Sequence, residues 1–293
     1  EYEQGEICER GYAFFSRAWK EMEFHCVKLE EVCRQKDAEF LGILNDIKYG
    51  RNLQNVIAYL ESNQSSDLME EAPYLVGTNA KADKINQAHM RALDEKTEKK
   101  VWAIIEGDVT YEDIKNISFA KQSLVVNVGA KVMLTANDAN GEYVNGTMGT
   151  IIDISKERGD ATCIQVLTDK GKKVDVYRYE REIERQDIEE SKEKDKNGET
   201  VIVKKIVRKI VGSFKQFPIK IAWAMSIHKS QGQTFGQVNI DPRCWDSGQF
   251  YVAVSRAESI EGIHFMAPIL KQYIRTLSDE VIKILKESLY SII

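Results

Sequence analysis

Ala224-Met-Ser-Ile-His-Lys-Ser-Gln-Gly-Gln-Thr-Phe235 is the stretch on which the reading of this 293-residue chain turns. Its apolar opening breaks into His228, Lys229, Ser230, Gln231, Gly232 and Thr234, the pattern of a buried strand that opens into a polar loop facing phosphates. A second segment, Gly248-Gln-Phe-Tyr-Val-Ala-Val-Ser-Arg-Ala257, presents one arginine, Arg256, after an apolar run over residues 250–254. An arginine so placed suits a site where charge develops on a transferred phosphoryl group, a contribution typically worth about 10³ to 10⁵ in rate. The plainer alternatives are a surface ion pair for Arg256 and a packed core histidine for His228.

Three further segments precede these two. Leu29-Glu-Glu-Val-Cys-Arg-Gln-Lys-Asp37 is followed by Phe40, Leu44 and Gly50, Leu75-Val-Gly-Thr-Asn79 by Asn86, and Gly129-Ala-Lys-Val-Met-Leu134 by Val144-Asn-Gly-Thr-Met-Gly149. In this order the five segments, which reach across nearly the whole chain, resemble the RecD-like, PIF-type branch of the superfamily-one DNA helicases. One short match is common by chance, whereas five in family order are not.

The resemblance implies an α/β fold: a RecA-like parallel sheet flanked by helices, interrupted by a small antiparallel SH3-like β-barrel, with an N-terminal helical segment. It implies a helical remnant and linker over 1–60, the first part of the second RecA-like domain over 61–142, the barrel with its hairpin over 143–217, and the second part of the RecA-like domain over 218–293. By the same resemblance Arg34 and Arg256 are the catalytic residues and Gln231, Gly232 and Thr234 lie at the nucleotide. Thr78, Asn79, His228, Lys229 and Ser230 would hold single-stranded DNA. From the residues alone, Arg34 is also compatible with a helix-surface position near Glu30, and Thr78-Asn79 with a plain helix cap in which Asn79 is the N-cap.

Pattern along the chain gives an independent outline. Tyr12, Phe14, Phe15 and Trp19 predict an amphipathic helix over 1–20, and the apolar spacing over 37–60, broken at Gly50, predicts two helices joined by a turn. A strand at 74–76 leads into a helix over 80–93. Strands are predicted at 131–134, 149–154, 163–167, 173–179 and 201–217, with Asn197-Gly198 as a hairpin turn. Residues 218–227 read as one buried strand returning to the parallel sheet, and 272–289 as a closing helix.

A formal charge of -5 lacks the global basic signature of many nucleic-acid binders, so local distribution has to carry that role. Lys204, Lys205, Arg208, Lys209, Lys215 and Lys220 form a basic stretch that either guides DNA or is the solvated face of a hairpin. No apolar run approaches membrane-spanning length, which predicts an intracellular, cytoplasmic or nucleoid protein with no membrane partner. The five cysteines form no C-x-x-C pair, which favours reduced, structural thiols over a zinc site.

No G-x-x-x-x-G-K-[ST] occurs, since Lys170-Gly-Lys-Lys173 lacks both the leading glycine and the hydroxyl, and no apolar strand ends in Asp-Glu. ATP and Mg²⁺ are therefore expected to serve an intact enzyme, with none held tightly by this chain and no metal site of its own. The implied partners are single-stranded DNA and an N-terminal RecA-like domain on the same polypeptide, the start at Glu1 being read as a truncation. The alternatives are a stand-alone nucleic-acid-binding or regulatory module with a helicase-like fold, and a protein-interaction scaffold.

Overall fold

The computed structural model describes residues 16–22, 34–115, 117, 121–157, 159–194, 200–276 and 283. Asp37 starts the first long helix because its carboxylate accepts from the amides of Glu39 and Phe40, at 2.7 and 3.1 Å. A short α1 (Arg17–Glu21) precedes this α2 (Ala38–Tyr49), which ends at Gly50 with a left-handed φ of 66° before α3 (Leu53–Asn63) begins. The pair matches the apolar spacing: Phe40, Leu44 and Ile47 of α2 and Val56 and Leu60 of α3 are buried together. Of the helix predicted over 1–20, only residues from 16 onward lie within the described residues.

The chain continues as β1 (Tyr74–Val76), α4 (Asn79–Arg91), β2 (Lys99–Trp102), β3 (Ile104–Gly107), α5 (Tyr111–Ile114), β4 (Ser123–Val126) and β5 (Lys131–Leu134). Next come β6 (Met148–Glu157), β7 (Asp160–Thr168), β8 (Lys173–Val176), β9 (Tyr179–Lys194), β10 (Thr200–Gln216) and β11 (Ile219–Ile221). After β12 (Ala224–Ser226) a 3₁₀ turn (Ile227–Ser230) leads to β13 (Val238–Ile240), α6 (Gln249–Val254), β14 (Ile263–Phe265) and a second 3₁₀ turn (Lys271–Tyr273).

A four-stranded sheet, β12-β1-β13-β14, is parallel throughout. Its strands are short, mostly apolar and almost wholly buried, as a sheet covered on both faces requires. α2, α3 and α6 pack on it, with the Phe250 ring stacked on Phe265 at a centroid distance of 6.0 Å. α4 covers the β12 edge, where the Asn86 side chain both donates to Ala224 O and accepts from Ala224 N, each at 2.8 Å. That double bond satisfies a backbone edge that would otherwise stay open.

A five-stranded antiparallel sheet, β11-β5-β6-β7-β8, is built around its own core, in which Val132, Ile151, Ile164, Val166, Val176 and Phe217 are buried. β9 and β10 form a long ribbon joined to β3 in a separate three-stranded sheet.

Two expectations are corrected. Residues 218–227 are not one strand: β11 pairs antiparallel with β5, and after a break β12 alone joins the parallel sheet. β5 and β11, which lie on either side of 143–217, belong to the antiparallel sheet. The cap of α4 is Thr78, whose hydroxyl accepts from Lys81 N, while Asn79 is the first helical residue.

Of the two readings of the basic stretch, the solvated face of a hairpin is the one that the ribbon favours. Opposite β10 stands acidic β9, and ion pairs join Lys204 to Glu190, Lys209 to Asp187 and Glu189, and Lys215 to Glu180 and to Glu106 of β3. The charge of these three lysines is neutralised in place, as a solvated hairpin face requires. The Asn197-Gly198 turn lies outside the described residues, as does most of the closing helix, whose expected start is instead a 3₁₀ turn.

Candidate functional site

Arg34 lies just ahead of the Asp37 cap and reaches residues more than two hundred positions later in the chain. Its Nε donates to Thr234 Oγ1 at 2.9 Å and its Nη1 to Ser255 O at 2.7 Å. The neighbouring Gln35 is buried and donates to Ser255 O and Ala257 O at 3.1 and 2.8 Å. These bonds clamp the start of α2 onto the end of α6.

Arg256 sits at that end. Its Nε donates to Val252 O and its Nη2 to Ser255 Oγ, both at 3.0 Å. Together Arg34, Gln35, Thr234, Tyr251, Ser255, Arg256 and Glu258 line an open cleft of roughly 660 Å³.

The electrostatics of this cleft are lopsided. Among the described residues neither guanidinium has a carboxylate within ion-pair range, and neither Nη2 of Arg34 nor Nη1 of Arg256 has a hydrogen-bond partner. The pKa of Arg256 is pushed down, first by burial and then by the like charge of Arg34. Two cations held close and only partly hydrogen-bonded make this cleft a candidate anion site, in which Glu258 is the one carboxylate of the lining. Thr234 belongs to it, whereas Gln231 and Gly232 are exposed and do not line the cleft. Gly232 answers to its backbone, with φ of 84° and open space where a Cβ would sit.

The second cluster lies at the carboxyl ends of β1 and β12, which are adjacent because Val76 pairs with Ser226. Thr78 and Asn79 issue from the first strand and His228 and Lys229 from the second, all exposed. Asn79 and Lys229 line one groove, and His228 lies 3.8 Å from Asp246. Ser230 does not share this face. Its side chain is fully buried and donates to Ile227 O at 2.7 Å, because the 3₁₀ turn folds it inward.

Residues 231–237 then carry the chain from the carboxyl end of β12 to the amino end of β13, passing Thr234 on the way. Phe235 N bonds Arg256 O at 2.9 Å and Glu258 N bonds Phe235 O at 3.0 Å, tying this connection to the arginine. Gly146, in the loop between β5 and β6, has a left-handed φ of 92° and lies against the Gln233 side-chain amide.

Sequence reasoning gave no role to Gln35, Asp241 or Gln249. Gln249 is buried, donates to Gly77 O at 3.1 Å and accepts from Trp245 N at 3.0 Å, while Trp245 Nε1 also donates to Gly77 O at 3.3 Å. These bonds fix the turn that leads into Thr78. Asp241 is nearly inaccessible and pairs with Lys81 and with Arg243 Nε, the latter at 2.7 Å. Burial alone would raise its pKa, but the Arg243 and Lys81 hydrogen bonds outweigh it and hold the carboxylate ionised. A polar residue in an apolar run was the available signal for Gln249 and Asp241, but it does not name the partner.

Two thiols, Cys163 and Cys244, lie among the described residues, and burial disfavours the thiolate of both. Cys244 is buried and pushed up to about 12, and Cys163 is raised, also mainly by burial. No helix among the described residues is long and apolar enough to cross a membrane.

Over 261 residues the chain is 30% identical to the ATP-dependent DNA helicase Pif1 of Bdellovibrio bacteriovorus, covering 88% of this chain and 54% of that protein. A crystal structure of Bacteroides sp Pif1 in complex with ADP-AlF4 superposes with a TM-score of 0.71 at 28% identity, covering 95% of this chain and 60% of that one. The chain carries a Pif1-type superfamily-one helicase domain. A structure of Bacteroides Pif1 bound to single-stranded DNA agrees, with a TM-score of 0.65 at 27% identity over 95% of this chain and 60% of that one. No family model matches the chain. The parallel sheet with its flanking helices is thus the RecA-like sheet of this helicase domain. The chain spans about half the length of the curated relatives it matches, at 54% of the Bdellovibrio protein.

Proposed function

We propose that this chain is the C-terminal motor part of an ATP-dependent 5′-to-3′ DNA helicase. The observation that carries the reading is the pair of guanidiniums, Arg34 and Arg256, in one open cleft with no carboxylate in ion-pair range among the described residues. A triphosphate supplies the missing negative charge, and the free Nη groups match its oxygens as planar donors. Arg256 acts as an arginine finger. Arg34, fixed by Thr234 and Ser255, holds a neighbouring phosphate oxygen.

Single-stranded DNA is the polymer partner, held by Thr78, Asn79, His228 and Lys229 at the strand-end face. Phosphate contacts of this kind position a strand without reading its sequence. The 231–237 connection links the two sites: one end leaves the strand face and the other is bonded to Arg256, so closure of the cleft shifts the strand contacts.

The residues present fit the phosphates of ATP but not its metal. Among the described residues no three or more His, Cys, Asp or Glu side chains gather as a metal cluster. Mg²⁺, when bound in the intact enzyme, neutralises phosphate charge, and its ligands and the phosphate-cradling loop belong to an N-terminal RecA-like domain. That domain is the required partner. The five-stranded antiparallel sheet is read as an SH3-like barrel inserted in the second RecA-like domain, bounded by residues 131–221. α1 to α3 then form the helical segment and linker ahead of it.

The test is DNA-stimulated ATP hydrolysis by the chain alone, by the N-terminal half alone and by the two joined. Activity is expected only in the joined form. Comparable turnover from the lone chain overturns the assignment.

A further inference from the structure

The antiparallel insert meets the parallel sheet along a groove of roughly 610 Å³, lined on one side by α4 and β12 and on the other by β11 and the segment entering β4. Three lysines from separate places converge on it. Lys121 precedes β4, Lys220 lies on β11, and Lys229 follows β12. The backbone at Lys121 is fixed, because its carbonyl accepts from Gln216 Nε2 at 3.1 Å.

None of the three ammonium groups has an ion-pair partner among the described residues, although Asp83 and Glu98 also line the groove. Lys220 is half-buried and its pKa is lowered, first by burial and then by Lys229 and Lys121. The molecule therefore holds like charges together at a cost it does not relieve internally. The ribbon behaves oppositely, with Lys204, Lys209 and Lys215 paired across the strands.

We infer that Lys121 and Lys220 are phosphate-binding residues that extend the strand track from Asn79 and Lys229 onto the antiparallel insert. The groove, and not the basic ribbon, is then the nucleic-acid face of the insert. The ligand class is the polyanionic backbone of a single strand. This rests on the proposed strand face, since Lys229 belongs to both.

The test is binding of a fluorescein-labelled oligothymidylate to the whole chain, followed by anisotropy across a salt series. Each phosphate contact on a single strand contributes about 0.7 to the slope of log K against log salt. Lys121→Gln and Lys220→Gln are each expected to reduce that slope by about 0.7, and the double variant by about 1.4. Lys220→Arg should keep the parent slope, which separates loss of charge from loss of fold, and Arg208→Gln on the ribbon should keep it too. An unchanged slope in the double variant, with the parent chain binding, overturns this inference and leaves the strand face standing. Failure of the parent chain to bind overturns the strand face itself.

Discussion

Arg256 and Arg185 are the same residue type in opposite circumstances. Arg185, on the ribbon, donates Nε and Nη2 to Asp113 at 2.9 and 2.6 Å, and its Nη1 to Asp108 at 2.7 Å. Those bonds raise its pKa further, led by the Asp113 hydrogen bonds, and hold the Asp113 carboxyl well below the usual carboxylate range. Arg256 meets a backbone carbonyl, a hydroxyl and another arginine, and its pKa is lowered. A guanidinium that finds its counter-charge inside the fold is spent on structure; one that does not marks where a ligand must bring it. The difference is invisible in a count of basic residues.

The largest expected effect separates these two arginines directly. In the joined enzyme, Arg256→Ala should lower DNA-stimulated ATP hydrolysis by about 10³ to 10⁵. Arg256→Lys should restore little of it, because an ammonium has no planar fork to share among a carbonyl, a hydroxyl and a phosphate. Arg185→Ala should leave turnover within a few-fold of the parent. Equal losses at the two positions in steady-state rates would erase the distinction.

Next in size is the latch beneath the strand face. Gln249→Ala removes a donor to the buried Gly77 carbonyl and the acceptor of Trp245 N, leaving only the Trp245 indole on that carbonyl. Loss of a buried polar partner costs about 1 to 3 kcal/mol, readable from urea denaturation. Single-strand affinity should fall in the same variant, because Thr78 loses its support. A variant as stable as the parent removes the latch from the account.

The site was legible in part, for reasons that particular residues make plain. Helix spacing and the Gly50 stop foretold α2 and α3, because burial there follows a period that sequence displays. Arg34, Thr234 and Arg256 came from motif order and do meet in one cleft. The Asn79 cap failed by one position because Thr and Asn are both good N-caps, and only backbone geometry decides between neighbours. Ser230 is turned inward within a 3₁₀ turn, and of residues 231–234 only Thr234 lines the cleft, neither of which the sequence pattern displays. The ribbon left two readings open because its lysines are adjacent in sequence, whereas the carboxylates that neutralise them lie on the other strand.

A pH series sharpens the structural half of the comparison. The Asp113 carboxyl is depressed chiefly by its hydrogen bonds to Arg185, then by those from Thr110. A depressed carboxyl contributes stability that is complete above its unfolded value, near about 3.9, and is lost as pH falls through the folded value. The difference in thermal midpoint between the parent and Asp113→Asn should therefore stay constant from about pH 7 to 5 and shrink below about pH 4. A difference that instead shrinks around neutrality would place the coupling on another group.

The smallest expected effect is the most discriminating for the ribbon. Arg208 is largely exposed and lies 3.8 Å from Glu184, a pair that solvent and salt both weaken. Arg208→Gln removes one positive charge, as Lys220→Gln does, so the two variants carry the same net change. If DNA responded to net charge alone, both would weaken binding equally and shift the salt slope together. If it responds to uncompensated charge held in a groove, Arg208→Gln should leave the slope and the denaturation midpoint at parent values while Lys220→Gln moves the slope. In the ribbon the glutamates already occupy the place a phosphate would take, so binding there would have to displace a neighbour before gaining a contact.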